Sequence, residues 1–368
     1  MIEHERICKQ LFLLVGSNPL PNFLAALVLK PQSICLFFSP QTEKVKDYLY
    51  KTLQDRFENV SLSDRCIGDA TDASQIRTAF ADEFPSVSKD AHLHYTGGTK
   101  IMAAHARMAF SEVGGKNEQA SYLDERKAVL RFDDGYEIPE SKWDFKLTID
   151  EILGLHGVGD VSKREISKLQ YIEQDLIKVA EVVLKNPKII GKLNNTSIDK
   201  YAELIPGVNN RILLENKDRF LKGVWLEDWV GVVMQKIAIK SEICISIESK
   251  RSKERKFEVD VVLIHRHRLY VISCTTQSKL KDCKFKLFEV AMRARQLGGD
   301  LARSALVCML HGFEEGTERL SIEQLKKDAE DIWDASNTPK VFGLDDLREW
   351  AGIHGEPNMG TLQQWLES

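Results

Sequence analysis

"LFLLVGSNPLPNFLAALVLK", residues 11–30, reads as a buried strand, a glycine-led loop and a helix in direct succession. The run LFLLVG (11–16) is short, wholly apolar and closed by glycine, the signature of a strand covered on both faces. PLPNFLAALVLK then carries apolar residues at helical spacing behind prolines that suit a first helical turn. SICLFFS (33–39) repeats the strand reading, TEKVKDYLYKTLQDRF supplies an amphipathic helix, and AHLHYTG supplies a further strand. Strands alternating with helices of this length imply a parallel, doubly wound sheet, so the first part of the chain reads as Rossmann-like α/β.

Length extends the reading. A chain of 368 residues exceeds one ordinary core, which implies two or more domains. Residues 141–222 turn helical and charged, with SKREISKLQYIEQDLIKVAEVVLKN the longest amphipathic stretch and GKLNNTSIDK a polar interruption; they read as a helical connector whose exposed stripes could serve dimerisation. From 223 to 368 the order is the helix WLEDWVGVVMQKI, the strand pair FEVDVVLIH and RLYVISCTT, the helix FKLFEVAMRARQLGG, the strand SALVCML and a helix from Ser321, a second α/β domain. The expected divisions are therefore 1–140, 141–222 and 223–368.

Composition limits the function classes. With 43% hydrophobic and 29% charged residues and no apolar run of about 20, the chain is expected neither in a membrane nor disordered. The start, Met1-Ile-Glu-His-Glu-Arg, carries no secretory pattern, and seven scattered cysteines without a CxxC pair suit a reducing, cytoplasmic setting without zinc. Net charge is −4, yet cations concentrate at Lys250–Lys256, at His265-Arg-His-Arg268, and at Lys279, Lys281, Lys284 and Lys286, which reads either as solvated loop ends or as a nucleic-acid-facing patch.

Two loops of the first domain have anion-binding parts. VGSNPLPN (15–22) follows the first strand, and YTGGTK (95–100) follows a later one. Gly97 and Gly98 let backbone N–H groups approach a phosphate, Thr96 and Thr99 add hydroxyls, and Lys100 adds charge. GDATDAS (68–74) is a third loop, where Thr71 or Asp72 reads equally well as a helix N-cap. The pair of loops together resembles the CARF domain (CRISPR-associated Rossmann fold) of type III CRISPR ancillary proteins over about the first 140 residues. That resemblance implies a homodimer binding a cyclic oligoadenylate on its two-fold axis, with Ser17, Asn18 and Thr96 to Lys100 touching the ligand. Because a two-fold axis suits an even ring, cyclic tetra-adenylate is the expected messenger. GxGxxG with its downstream acid is absent, so a dinucleotide cofactor and a metabolic Rossmann enzyme fit less well.

In the second domain Glu227 lies on a helix, and Glu258 and Asp260 lie two apart on a strand, hence on one face. Carboxylates converging from helix and strand are what a Mg²⁺- or Mn²⁺-dependent nuclease needs. The run from Gly223 to Leu310 resembles the restriction-endonuclease-like PD-(D/E)xK domain fused to CARF in the DUF1887-type effectors. The resemblance implies a ligand-activated nuclease acting on DNA and/or RNA, with Glu227 and Asp260 as metal ligands and Glu258 beside them. One departure is visible: where that family carries an acid, a spacer and a lysine, this chain reads Ser273-Cys274-Thr275. Either the lysine has moved downstream, to Lys279, Lys284 or Lys286, or the domain has kept its fold and lost cleavage, becoming a ligand-gated binder. Lys286 joins Asp260, Glu258, Ser273 and Thr275 as the expected catalytic set. Cys274, Trp225 and Trp229 read as core, His92, His94 and His105 as packed or solvated, and Gly298-Gly299 as a helix end.

Overall fold

A computed structural model describes residues 8–83, 89–169, 173–190, 205, 220–249, 258–311, 321–333 and 337–367. They divide into two compact units, Met1–Gly159 with Gln296–Leu301, and Asp160–Arg295 with Ala302–Ser368. The chain is mixed α/β with one sheet in each unit, the expected class. The basic run 250–256 and the polar run 191–200 lie outside the described residues.

The first sheet holds seven strands: β1 Gln10–Leu14, β2 Ser33–Phe38, β3 Ser61–Cys66, β4 Ala91–His94, β5 Ala120–Asp124, β6 Val129–Phe132 and β7 Glu137–Pro139, in the order β3-β2-β1-β4-β5-β6-β7. β1 pairs in parallel with both β2 and β4, and β3 and β5 continue the parallel run; β6 and β7 add an antiparallel edge. The helices are α1 Leu20–Leu29, α2 Glu43–Arg56, α3 Ala73–Glu83, α4 Lys100–Glu112 and α5 Ile149–Leu155. β1 and β2 are buried almost throughout, which explains their unbroken apolar runs. One core cluster joins Phe12, Phe37, Phe80, Leu93, Met102 and Phe110. Phe37 and Phe80 stack at 3.9 Å between centroids, fixing α3 against β2.

The second sheet has six strands: β8 Val161–Glu165, β9 Glu242–Ser249, β10 Glu258–His265, β11 Arg268–Thr275, β12 Arg303–Cys308 and β13 Lys340–Phe342, in the order β13-β12-β11-β10-β9-β8. Its helices are α6 Glu173–Lys185, α7 Trp225–Ile237, α8 Leu280–Gly298, α9 Ser321–Ile332, α10 Leu344–Trp350 and α11 Gly360–Glu367. Side chains alternate along β10 and β11: Val261, Leu263, Tyr270, Ile272 and Cys274 enter a core with Trp225, Trp229 and Trp350. A separate cluster joins Cys283 and Leu287 of α8 to Leu306 and Cys308 of β12 and Leu325 of α9. Helices thus cover both faces of the sheet.

The stretch read as a connector divides at 159/160. β8 pairs with β9, and Leu176, Val179 and Val183 of α6 enter the same core as Trp225. An amphipathic stripe identifies a buried face without saying which core receives it.

α8 ends at Gly298, and Gly299 follows with φ +60°. The turn here belongs to the first unit, where Asp300 N–H donates to Glu125 Oε2 at 2.9 Å.

Candidate functional sites

The order β2-β1-β4 places the reversal of the winding between β1 and β4, and ligands of open α/β sheets bind beyond the carboxyl ends of the strands at that point. Both loops singled out from the sequence leave there. They touch through backbone: a Cβ on Gly97 would fall 1.8 Å from Leu14 O, and one on Gly16 would fall 2.8 Å from Gly98 N. Gly98 itself sits at φ +75°, a left-handed conformation that glycine adopts without strain.

Each polar residue of these loops has a definite position. Ser17, Thr99 and Lys100 are exposed, and Asn18 and Thr96 are half-buried. Asn18 Oδ1 accepts from Leu20 N at 3.1 Å, an Asx turn that leads into α1 behind its N-cap Pro19. Thr96 Oγ1 accepts from Leu123 N at 2.5 Å, and Thr99 Oγ1 accepts from Met102 N at 3.0 Å as the N-cap of α4 while donating to Ala70 O at 3.1 Å. The two threonine hydroxyls therefore shape the loop. Lys100, at the first position of α4, brings its charge to a helix N-terminus already favourable to anions. In the third loop Asp72 is the N-cap, accepting from Ser74 N at 2.8 Å.

The histidines beside this loop are internal. His92 Nε2 lies 2.7 Å and His94 Nδ1 3.1 Å from Ser121 Oγ, in the sheet's interior. Burial drives the His94 imidazole down to about 3, so it stays neutral.

In the second unit a small cleft lies between β10, β11 and α8, lined by Glu258, Asp260 and Ser273 from the strands and Lys286, Glu289 and Arg293 from the helix. The helical residues fall at i, i+3 and i+7, one face of α8. Asp260 Oδ2 accepts from Cys274 N at 2.6 Å and from Ser273 Oγ at 3.0 Å. Burial pushes the Asp260 carboxyl above the usual range, while the Cys274 N–H, the Lys286 charge and the Ser273 hydroxyl oppose that shift. Lys286 also lies 3.5 Å from Glu289.

Four of the five expected catalytic residues, Asp260, Glu258, Lys286 and Ser273, thus line one cleft. Thr275 does not; it is buried, and its Oγ1 accepts from Gln277 N at 3.2 Å. Glu227 is not among the lining residues either, because it stands on α7, which covers the opposite face of the sheet. There Arg164 of β8 pairs with Glu227 at 3.4 Å and with the fully buried Asp228 at 2.8 Å. Burial lifts Asp228 to about 6 although Arg164 pulls it down. Among the described residues no three acids, histidines or cysteines are grouped as a metal-holding set. The cleft still suits a hard cation, since Mg²⁺ is commonly held by one or two carboxylates with water and phosphate completing its shell. Sequence reading missed Glu289 and Arg293, although both lie at helical spacing from Lys286. Cys274 and the two tryptophans are core residues.

Comparison with known proteins matches residues 214–317 to the Card1-like endonuclease domain. The cleft lies within it, and the nuclease-type second domain read from the sequence is borne out. No curated protein matches the chain. Among solved structures, Can2 from Sulfobacillus thermosulfidooxidans in complex with cyclic tetra-adenylate shares 16% identity, with a TM-score of 0.70 over 98% of this chain and 100% of that one. VC1899 from Vibrio cholerae gives the same identity and TM-score over 98% of each chain. A type III CRISPR defence DNA nuclease activated by cyclic oligoadenylate gives 17% and 0.53 over 82% of this chain and 45% of that one. At these identities the likeness establishes the fold, and the expected CARF–nuclease fold is borne out. No helix among the described residues is long and apolar enough to cross a membrane.

Proposed function

We propose that the protein is a type III CRISPR effector whose first unit senses a cyclic oligoadenylate, taken as cyclic tetra-adenylate, and whose endonuclease domain then cuts DNA and/or RNA. The observation that carries this reading is the endonuclease-domain match over 214–317 with an acid-and-lysine cleft inside it. The fold shared with a cyclic tetra-adenylate complex supports the messenger. In this reading two protomers share one ring on a two-fold axis, with the Gly97-Gly98 backbone, Ser17 and Lys100 facing its phosphates.

Asp260 is the principal ligand for Mg²⁺ or Mn²⁺, with Glu258 or Glu289 completing the protein's share. The ion would lower the pKa of the attacking water and stabilise charge on the scissile phosphate. Ser273 and the Cys274 N–H fix the Asp260 carboxylate, and Lys286 supplies the cation that Thr275 cannot. A second reading, a disarmed domain that binds nucleic acid or a partner without cutting it, rests on Ser273 and Thr275 standing where the family carries its acid and lysine.

The deciding experiment incubates the protein with cyclic tetra-adenylate, Mn²⁺ and end-labelled strands. Cleavage that needs all three components is the expected result. Binding of the messenger without cleavage under either metal favours the disarmed reading, and failure to take up the messenger overturns the sensing half.

A further inference from the structure

A circuit of contacts closes around the switch point of the first sheet. Gly16, in the loop after β1, packs on Gly98 of the second loop, since a Cβ there would fall 2.8 Å from Gly98 N. Thr96 of that second loop accepts from Leu123 N of β5 at 2.5 Å, and two residues on, Glu125 Oε2 accepts from Asp300 N–H at 2.9 Å. Gly299 returns to the first loop: a Cβ on it would fall 2.0 Å from Asn18 Nδ2 and 3.1 Å from Glu125 Oε2. Leu297 and Leu301, both buried, anchor the turn on either side, and His156 hydrogen-bonds the Leu297 backbone. All these residues belong to the first unit.

Gly299 does more here than end α8. Asparagine also serves at a left-handed helix end, whereas the space beside Asn18 excludes any Cβ. Asn18 is thereby held at both ends of its amide, Oδ1 by Leu20 N and Nδ2 against Gly299. From this circuit we infer that the turn 296–301 is a third segment of the messenger site, with Gly299 as the positioning residue that sets Asn18 and, through it, the adjoining exposed Ser17. This role rests on the sensing reading above and adds to it a stretch of chain that neither glycine loop announces. A side chain at 299 must push Asn18 away from Leu20 N, which moves the loop of Ser17 while leaving Gly97, Gly98 and Lys100 in place.

Calorimetry of cyclic tetra-adenylate against the full protein in EDTA provides the test, with chemical denaturation of each variant alongside. Gly299→Ala should weaken uptake about fivefold or more, as should Asn18→Ala; added to Asn18→Ala, Gly299→Ala should cost less than about twofold further, because the atom it displaces is gone. Glu125→Ala should weaken uptake in the same direction, and Glu125→Gln, whose amide oxygen still accepts from Asp300 N–H, should retain it. A glycine that only ends a helix would lower the denaturation midpoint equally in both backgrounds and leave uptake unmoved, which overturns the proposal. Equal losses of uptake from Gly299→Ala with and without Asn18 overturn it too. If Gly299→Ala does not fold, the Glu125 variants decide, and uptake by Glu125→Ala equal to the parent's is the overturning result. Should the parent take up the messenger while the variants match it, only the positioning role fails; should the parent take up none, the sensing reading fails with it.

Discussion

Ser273 Oγ donates to Asp260 Oδ2 at 3.0 Å, so the hydroxyl at the position where the PD-(D/E)xK pattern carries an acid serves the neighbouring acid. The Cys274 N–H binds the same oxygen, which leaves Oδ1 as the freer atom for a cation. A carboxylate held by two strand groups is fixed in orientation, positioned by β11.

Asp260→Asn follows from that arrangement. The amide oxygen can still accept from Cys274 N and Ser273, so the fold should persist, but the negative charge is gone. Cleavage of a labelled strand under Mn²⁺ should fall by about a hundredfold or more, with the unfolding midpoint little changed. Undiminished products from this variant would place the cation elsewhere.

Ser273→Glu with Thr275→Lys tests whether the domain is disarmed. A glutamate at 273 adds a second charge beside a buried aspartate, so without metal the variant should lose about 1–3 kcal/mol in urea denaturation. Mn²⁺ should return part of that stability, because it binds only the folded form. A gain in cleavage over the parent would mark the parent's cleft as weakened relative to the family pattern.

Gly97→Ala concerns the loops of the first unit. Its Cβ would meet Leu14 O at 1.8 Å, and backbone on both sides must move to admit it. A loss of about 3 kcal/mol or more is expected by chemical denaturation, with ligand uptake abolished. Lys100→Ala, by contrast, should leave stability within about 0.5 kcal/mol and weaken uptake of cyclic tetra-adenylate several-fold by calorimetry.

Arg164→Met tests the buried ion pair through pH. Asp228 ionises near 6 when folded, against about 3.9 when unfolded, so its burial costs nothing below about pH 4. That cost grows as the pH rises towards 6 and is full above it. Removing Arg164 raises the folded value further, so the variant should be destabilised by about 3–5 kcal/mol at pH 8 and by clearly less at pH 5. Equal losses at both values would show that Asp228 does not bear the charge.

Much of the first sheet was legible in the sequence, because a parallel strand buried on both faces is an unbroken apolar run and LFLL and SICLFF are such runs. The loops at the switch point were legible for a similar reason: glycines directly after strands, Gly16 in one loop and Gly97-Gly98 in the other, report where backbone must come close. The fate of the threonine hydroxyls was not, since a residue that caps α4 and one that faces a ligand look alike in a sequence. In the second unit the i, i+2 spacing of Glu258 and Asp260 placed them on one face. Glu227 could not be assigned to the other side of the sheet by spacing alone, because a helix's facing depends on the core it covers. Arg164 and β8 escaped notice because a charged edge strand has no apolar alternation to announce it.

Glu125 holds Asp300 across 175 positions of chain, inside a unit that otherwise ends at Gly159. The first unit is therefore assembled from two separated stretches of the polypeptide, and a fragment cut after Gly159 would lose the turn whose Asp300 N–H donates to Glu125. Separating the two units will need an internal splice that keeps 296–301 tethered to the front of the chain, because no single scission yields either unit intact.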